Sequence, residues 1–130
     1  MKAVSFPAPG KVEIIEIPDP QSGPEDVLVD IHYVGLCGSD LNAYRGLSPL
    51  VAYPRIPGHE VSGVIAAKGE KVPESINEGD RVMLSPYSHC GVCPACRVGR
   101  TNCCQFNQTL GVQRDGALTR RFAIHYSQVF

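Results

Sequence analysis

The chain has 130 residues, enough for one domain, and a domain of that size buries about two thirds of the surface its unfolded chain exposes. Its formal net charge of −1 leaves no basic footprint for nucleic acid, and no apolar run approaches the roughly 18 residues of a membrane span. Thirteen glycines and eleven prolines require many turns and short elements, which argues against a helical bundle.

Met1-Lys2-Ala3-Val4-Ser5-Phe6-Pro7 has neither the apolar core nor the cleavage site of a signal peptide. The expected setting is therefore cytoplasmic, where cysteines read as metal ligands before disulfides. Residues 1–34 read as strands. Val12 to Ile17 is a short β-rich run stopped by Pro18-Asp19-Pro20, and Gln21-Ser22-Gly23-Pro24 is a loop. Val27, Val29, Ile31 and Tyr33 then alternate with Leu28, Asp30, His32 and Val34, a period of two with one apolar face. His32 falls on the mixed face, as a solvated or hydrogen-bonded histidine would.

Gly35-Leu36-Cys37-Gly38-Ser39-Asp40 follows, with Ser39 or Asp40 placed to cap a short helix through Leu41-Asn42-Ala43-Tyr44-Arg45. Alone, Cys37 reads as an apolar filler. Tyr53-Pro54-Arg55-Ile56-Pro57 is stiff and extended, because each proline biases the residue before it away from helix. It delivers Gly58-His59-Glu60. Cys37, His59 and Glu60 then form a Cys/His/carboxylate set, and three protein ligands with a fourth position open is the catalytic form of a zinc site.

Val61 to Ala67 is the next strand, Ile76 to Asp80 a turn, and Arg81 to Leu84 another strand. Between Cys90 and Cys104 the spacing is C-x2-C-x2-C-x7-C, through Cys90, Cys93, Cys96 and Cys104. Five of the six cysteines lie in these fifteen residues. Two-residue gaps let successive thiolates curl back onto one ion, and four thiolates around a point is the closed tetrahedron of structural zinc. Such a loop has little apolar content, so the ion must do the work of a core, a coupling typically worth roughly 10–16 kcal/mol. Two disulfides or an iron–sulfur cluster are the alternatives, although bacterial-type clusters space their last cysteine by about three residues and follow it with proline. Here Gln105 follows Cys104. Gly111 to Gly116 makes a final turn before a strand over Ala117 to Ile124. Many short strands at this spacing suggest a small, partly open β-barrel. No Gly-x-Gly-x-x-Gly follows a strand, so no dinucleotide-binding domain is expected within the chain.

Four blocks, in this order, resemble the N-terminal catalytic domain of the zinc-containing medium-chain alcohol dehydrogenases. They are Gly35-x-Cys37-Gly38-Ser39-Asp40, Pro57-Gly58-His59-Glu60-x-x-Gly63, Gly79-Asp80-Arg81-Val82 and the four-cysteine lobe. The likeness covers essentially the whole chain. Tyr53 to Glu60 and Gly111-Val112-x-x-Asp115-Gly116 resemble its polyol, sugar-acid and threonine dehydrogenase branch.

The resemblance implies a mainly β, GroES-like, partly open barrel over residues 1–130 with a protruding structural-zinc loop. It implies two zinc ions per chain, a catalytic one at Cys37, His59 and Glu60 and a structural one at Cys90, Cys93, Cys96 and Cys104, with Cys103 left over. Ser39 would be the first acceptor of the alcohol proton, as a hydroxyl beside a Lewis-acid metal can be. Asp40 would orient the zinc site or the following turn. A full-length parent would use NAD or NADP on a small-molecule secondary alcohol and assemble as a homo-oligomer. Asn42 stands where some members carry a relay histidine, and Ala117 where a second glycine is usual. His89, beside Cys90, is expected at the surface, with support of the lobe ligands as its alternative; His125 is assigned no role, and Arg97 and Arg100 read as solvated charges that partly offset the thiolates. Because hydride needs a nicotinamide opposite the metal, the 130 residues alone are expected to bind zinc without turnover. The rival expectations are a non-enzymatic zinc-binding module or inactive fragment, and a relative of the quinone oxidoreductases.

Overall fold

Two antiparallel sheets appear where the β-branched runs fall in the computed structural model, which describes residues 1–130. β1 (Lys2–Ser5) pairs with β2 (Glu13–Glu16), Lys2 opposite Glu16 and Ser5 opposite Glu13. The larger sheet is built on β3 (Asp26–Gly35), its longest strand. After α1 (Gly38–Arg45) come β4 (Glu60–Lys68) and β5 (Arg81–Leu84). A four-residue helix α2 (Pro94–Arg97) lies in the cysteine lobe, and β6 (Arg121–His125) completes the order β5-β4-β3-β6. Isolated bridges tie Ala3 of β1 to Thr119, just before β6, and Phe6 to Arg55, and no ladder joins the two sheets. The barrel is therefore open rather than one continuous closed sheet. No helix is long and apolar enough to cross a membrane.

The core fills the inner face of the larger sheet. Val27 and Val29 of β3 are fully buried against Ile65, Val82, Leu84, Leu110 and Ile124. Side chains of this kind each contribute about 1.5–3 kcal/mol on leaving water. The period-two reading of β3 holds through Ile31, which packs half-buried on the core, and fails at Tyr33. Register shifts fall between Leu28 and Val29 and again between Ile31 and Tyr33. Such bulges re-aim the side chains that follow, so Tyr33 does not share the buried face of Val27 and Val29 but is 77% exposed. His32 is exposed, as expected. The last strand starts at Arg121 rather than Ala117, because Ala117 and Leu118 bond to Gly58 and Pro57 instead of to a sheet neighbour. In the lobe, expected as bare loop, Pro94 opens α2 from its first position, where a missing N–H costs nothing.

Candidate metal centres

Cys37 reaches its place as a helix cap. β3 ends at Gly35, and Cys37 is the N-cap of α1, its sulfur accepting the Ser39 N–H at 3.3 Å. Asp40, at the third helical position, returns a carboxylate oxygen to the Cys37 N–H at 3.0 Å. This is a capping box with a thiol in the place of the usual hydroxyl. The cap is thus Cys37, ahead of the expected Ser39 or Asp40. The box fixes the rotamer of the sulfur and brings Ser39 Oγ to 2.8 Å from it.

His59 arrives on the opposite wall. Gly58 has φ of 99°, a conformation side chains rarely adopt. A Cβ on Gly116 would collide with the Pro57 and Gly58 carbonyls, so these two backbones touch because residue 116 is glycine. His59 Nε2 stands 3.1 Å from Cys37 Sγ and 3.4 Å from Ser39 Oγ. Nδ1 lies 3.5 Å from Asp40 Oδ1, a contact too long for an ordinary hydrogen bond, so Nδ1 is a buried polar atom without a partner. The buried Asp40 also accepts the Gly58 N–H at 3.4 Å. With Nδ1 turned toward the buried Asp40 carboxyl, Nε2 is the ring nitrogen that faces the sulfur, as it would in a metal ligand steadied from behind by a carboxylate.

Donor atoms of Cys37, Asp40 and His59 all lie within 4.8 Å of one another. Glu60 falls outside that set. Paired opposite Gly35, it folds its carboxylate over that glycine, where a Cβ would collide with it. It still lines the cleft of about 740 Å³ that Cys37, Ser39 and His59 open into, with Tyr33 and Tyr87 on its walls. Sulfur and imidazole nitrogen around a tetrahedral zinc stand about 3.6 Å apart, from bond lengths of about 2.3 and 2.1 Å. The observed 3.1 Å needs only a few tenths of an ångström of opening. Asn42 is exposed, and the Ala117 methyl is packed in the core, which accommodates that departure from glycine.

Cys90, Cys93, Cys96 and Cys104 gather their sulfurs within the same 4.8 Å limit, with Cys90 and Cys96 4.0 Å apart. All six cysteines are free, and Cys103 is exposed outside the cluster. Backbone amides aim at the sulfurs, Cys93 N–H at Cys90 and both Cys90 and Phe106 N–H at Cys104, each at 3.3 Å. Amides of Cys96 and Gln105 hold the Cys93 thiol down at about 6. Burial opposes ionisation at Cys104, yet the Cys90 and Phe106 amides outweigh it and its pKa is lowered. Burial and the neighbouring Cys93 push Cys96 up to about 12. The fold thus invites thiolates that cannot all ionise together without a cation, and a four-sulfur set suits zinc. Both donor sets are consistent with zinc, two ions per chain. His89 is exposed beside the lobe, and His125 accepts the Ser127 N–H at 3.2 Å, well apart from either cluster.

The family described as the alcohol dehydrogenase GroES-like domain matches residues 23–130. A zinc-type alcohol dehydrogenase-like protein of Haemophilus influenzae is 43% identical over 118 residues, covering 91% of this chain and 34% of the relative. L-galactonate-5-dehydrogenase of Escherichia coli is 38% identical over 114 residues, covering 88% and 33%. An alcohol dehydrogenase of Escherichia coli CFT073, solved in complex with NADH, superposes with a TM-score of 0.91 at 35% identity, over 100% of this chain and 37% of that one. The chain therefore spans about a third of the length of the relatives it matches.

Proposed function

This chain belongs to the alcohol dehydrogenase GroES-like domain family, and from that premise we propose that residues 1–130 are the catalytic domain of a zinc-dependent NAD(P) dehydrogenase. Its substrate is a secondary alcohol such as a polyol or sugar acid. The observation that carries the reading is the convergence of Cys37 Sγ, His59 Nε2 and Ser39 Oγ within 3.4 Å of one another at the floor of an open cleft. A purely structural zinc module has the cysteine lobe and no use for this second cluster.

In the proposed site Cys37 and His59 would hold the metal, and Glu60 would reach it only by rotating off Gly35. Zinc, when bound, would supply Lewis-acid polarisation of the alcohol oxygen, and the nicotinamide would take the hydride. The net reaction turns the secondary alcohol and oxidised NAD(P) into the ketone, NAD(P)H and a proton. Ser39 receives that proton, since its hydroxyl lies beside both ligand atoms and faces the cleft. With Asn42 next along α1 in place of histidine, the proton leaves Ser39 to cleft water. The Asp40 carboxyl lies on the Nδ1 side of the His59 ring, which leaves Nε2 as the nitrogen facing Cys37. Cleft walls carrying Ser62, Tyr33 and Tyr87 hydroxyls suit a substrate with several hydroxyl groups.

The test is metal content of this chain, and turnover of a full-length parent that carries it together with a nicotinamide-binding domain. Two zinc ions per chain, one surrendered first to a chelator together with NAD(P)-dependent polyol oxidation, is the expected result. A single tightly held ion, with no alcohol oxidised on a panel of polyols and sugar acids, refutes it.

A further inference from the structure

The segment that presents His59 is anchored from two sides, and the metal-facing residues account for one. On that side Asp40 accepts the Gly58 N–H. On the other, Asp115 Oδ1 accepts the Ile56 N–H at 3.0 Å and Arg55 Nη1 at 3.1 Å. The Arg55 side chain is only 13% exposed and its Nε is buried without a partner, so Asp115 is the anion its guanidinium faces. Asp115 itself is 57% exposed and fills no part of the core. The residues after it continue the attachment. Gly116, Ala117 and Leu118 donate to the carbonyls of Ile56, Gly58 and Pro57 at 2.7, 2.9 and 3.0 Å.

We propose that Asp115, paired with Arg55, is a positioning residue for the cleft metal site. It fixes the register of residues 55–58 against the Gly116–Leu118 ladder and so sets where His59 Nε2 stands relative to Cys37 Sγ. The inference rests on reading Cys37 and His59 as metal ligands. Cys37 takes its place from the capping box of α1, which Asp115 does not touch. Loss of Asp115 therefore frees one ligand relative to the other, instead of moving both. The four-cysteine lobe has its own amide cage and shares no hydrogen bond with Asp115.

The experiment titrates cobalt into metal-free intact protein, reading the four-thiolate and the Cys/His sites by their distinct thiolate-to-cobalt bands. Asp115→Ala is expected to weaken the cleft site about tenfold, as removal of outer-shell partners does, with lobe affinity unchanged. Asp115→Asn keeps an acceptor for Ile56 but not the charge, and should fall between parent and alanine. Arg55→Lys, which retains the charge, should recover most of the affinity that Arg55→Gln loses. A metal-free readout runs alongside: amide exchange at Ala117 and Leu118 should quicken in Asp115→Ala. Undiminished cleft affinity in that variant overturns the proposal, and so does parallel weakening of both sites. If the alanine variant does not fold, the asparagine variant decides by the same criteria. A parent that takes cobalt in the lobe alone refutes the metal reading of the cleft, and the positioning role falls with it.

Discussion

Asp40→Asn isolates what the buried carboxylate does, because it keeps the shape and removes the charge. Asp40 accepts two buried N–H groups, Cys37 at 3.0 Å and Gly58 at 3.4 Å, and its carboxylate lies 3.5 Å from His59 Nδ1 without a hydrogen bond. Asparagine brings one acceptor oxygen and one NH2. Whichever way it flips, at least one buried donor meets a donor, and an unsatisfied buried polar group costs about 1–3 kcal/mol. Outer-shell substitutions weaken metal binding about 10–100-fold, or about 1.4–2.7 kcal/mol. The variant is therefore expected to unfold at lower denaturant and to lose the cleft ion to a competing chelator at correspondingly lower concentration. The lobe ion is the internal control, since none of its donors touches Asp40. Asp40→Ala should be worse on both counts, because it also removes the carboxylate half of the α1 capping box. A folded Asp40→Asn protein that held its cleft metal as tightly as the parent would refute the account of Asp40 as the group that steadies the cleft site from behind.

Cys93→Ser should strip the lobe of its ion and leave residues 90–104 open to protease, because structural zinc supplies roughly 10–16 kcal/mol of coupled folding. Cys103→Ser, outside the cluster, should leave metal content and protease resistance unchanged, as mass spectrometry of the native protein would report. Leu110→Ala, at a fully buried core position, is expected to cost about 2–5 kcal/mol in denaturant unfolding, with both metals retained. Asp30 is held below the ordinary carboxylate range by the hydrogen bond from Arg121 Nε. A pKa lower when folded means the pair stabilises the protein above the unfolded value, about 3.9, and that its contribution fades as pH falls below it. Asp30→Asn should therefore lower the urea midpoint at neutral pH and leave it nearly unchanged at the acid end.

The four-cysteine lobe was legible because its ligands are local. Fifteen residues hold all four thiols, so spacing alone restricts the geometry. The core strands were legible for the same reason, up to the bulge in β3, which no periodicity announces. The cleft was legible only in outline. His59 and Glu60 are adjacent in sequence, which suggests a shared ion, yet neighbours along an extended chain point to opposite faces. Glu60 is already the first residue of β4 and is turned onto Gly35. Asp40, three residues after Cys37, instead comes round to the sulfur through one turn of helix, the spacing that makes such residues meet. Arg55 and Asp115 each stand in a block that carries the family resemblance, but their pairing left no signal, because an ion pair spanning sixty residues has no local pattern.

The same contrast predicts how the two sites behave toward metal. Ordering a short loop around four thiolates happens as the ion binds, so losing that ion means unfolding the lobe, and escape is slow. In the cleft, Cys37 and His59 sit on separate elements, twenty-two residues apart. Each is held by contacts that involve no metal, the capping box of α1 and the ladder to Gly116–Leu118. Little folding energy is therefore tied to that ion. It can exchange without collapse of the barrel, and a vacant side toward the cleft gives a chelator direct access. A closed site that builds structure and an open site that merely uses it are the arrangement expected of one metal for folding and another for chemistry.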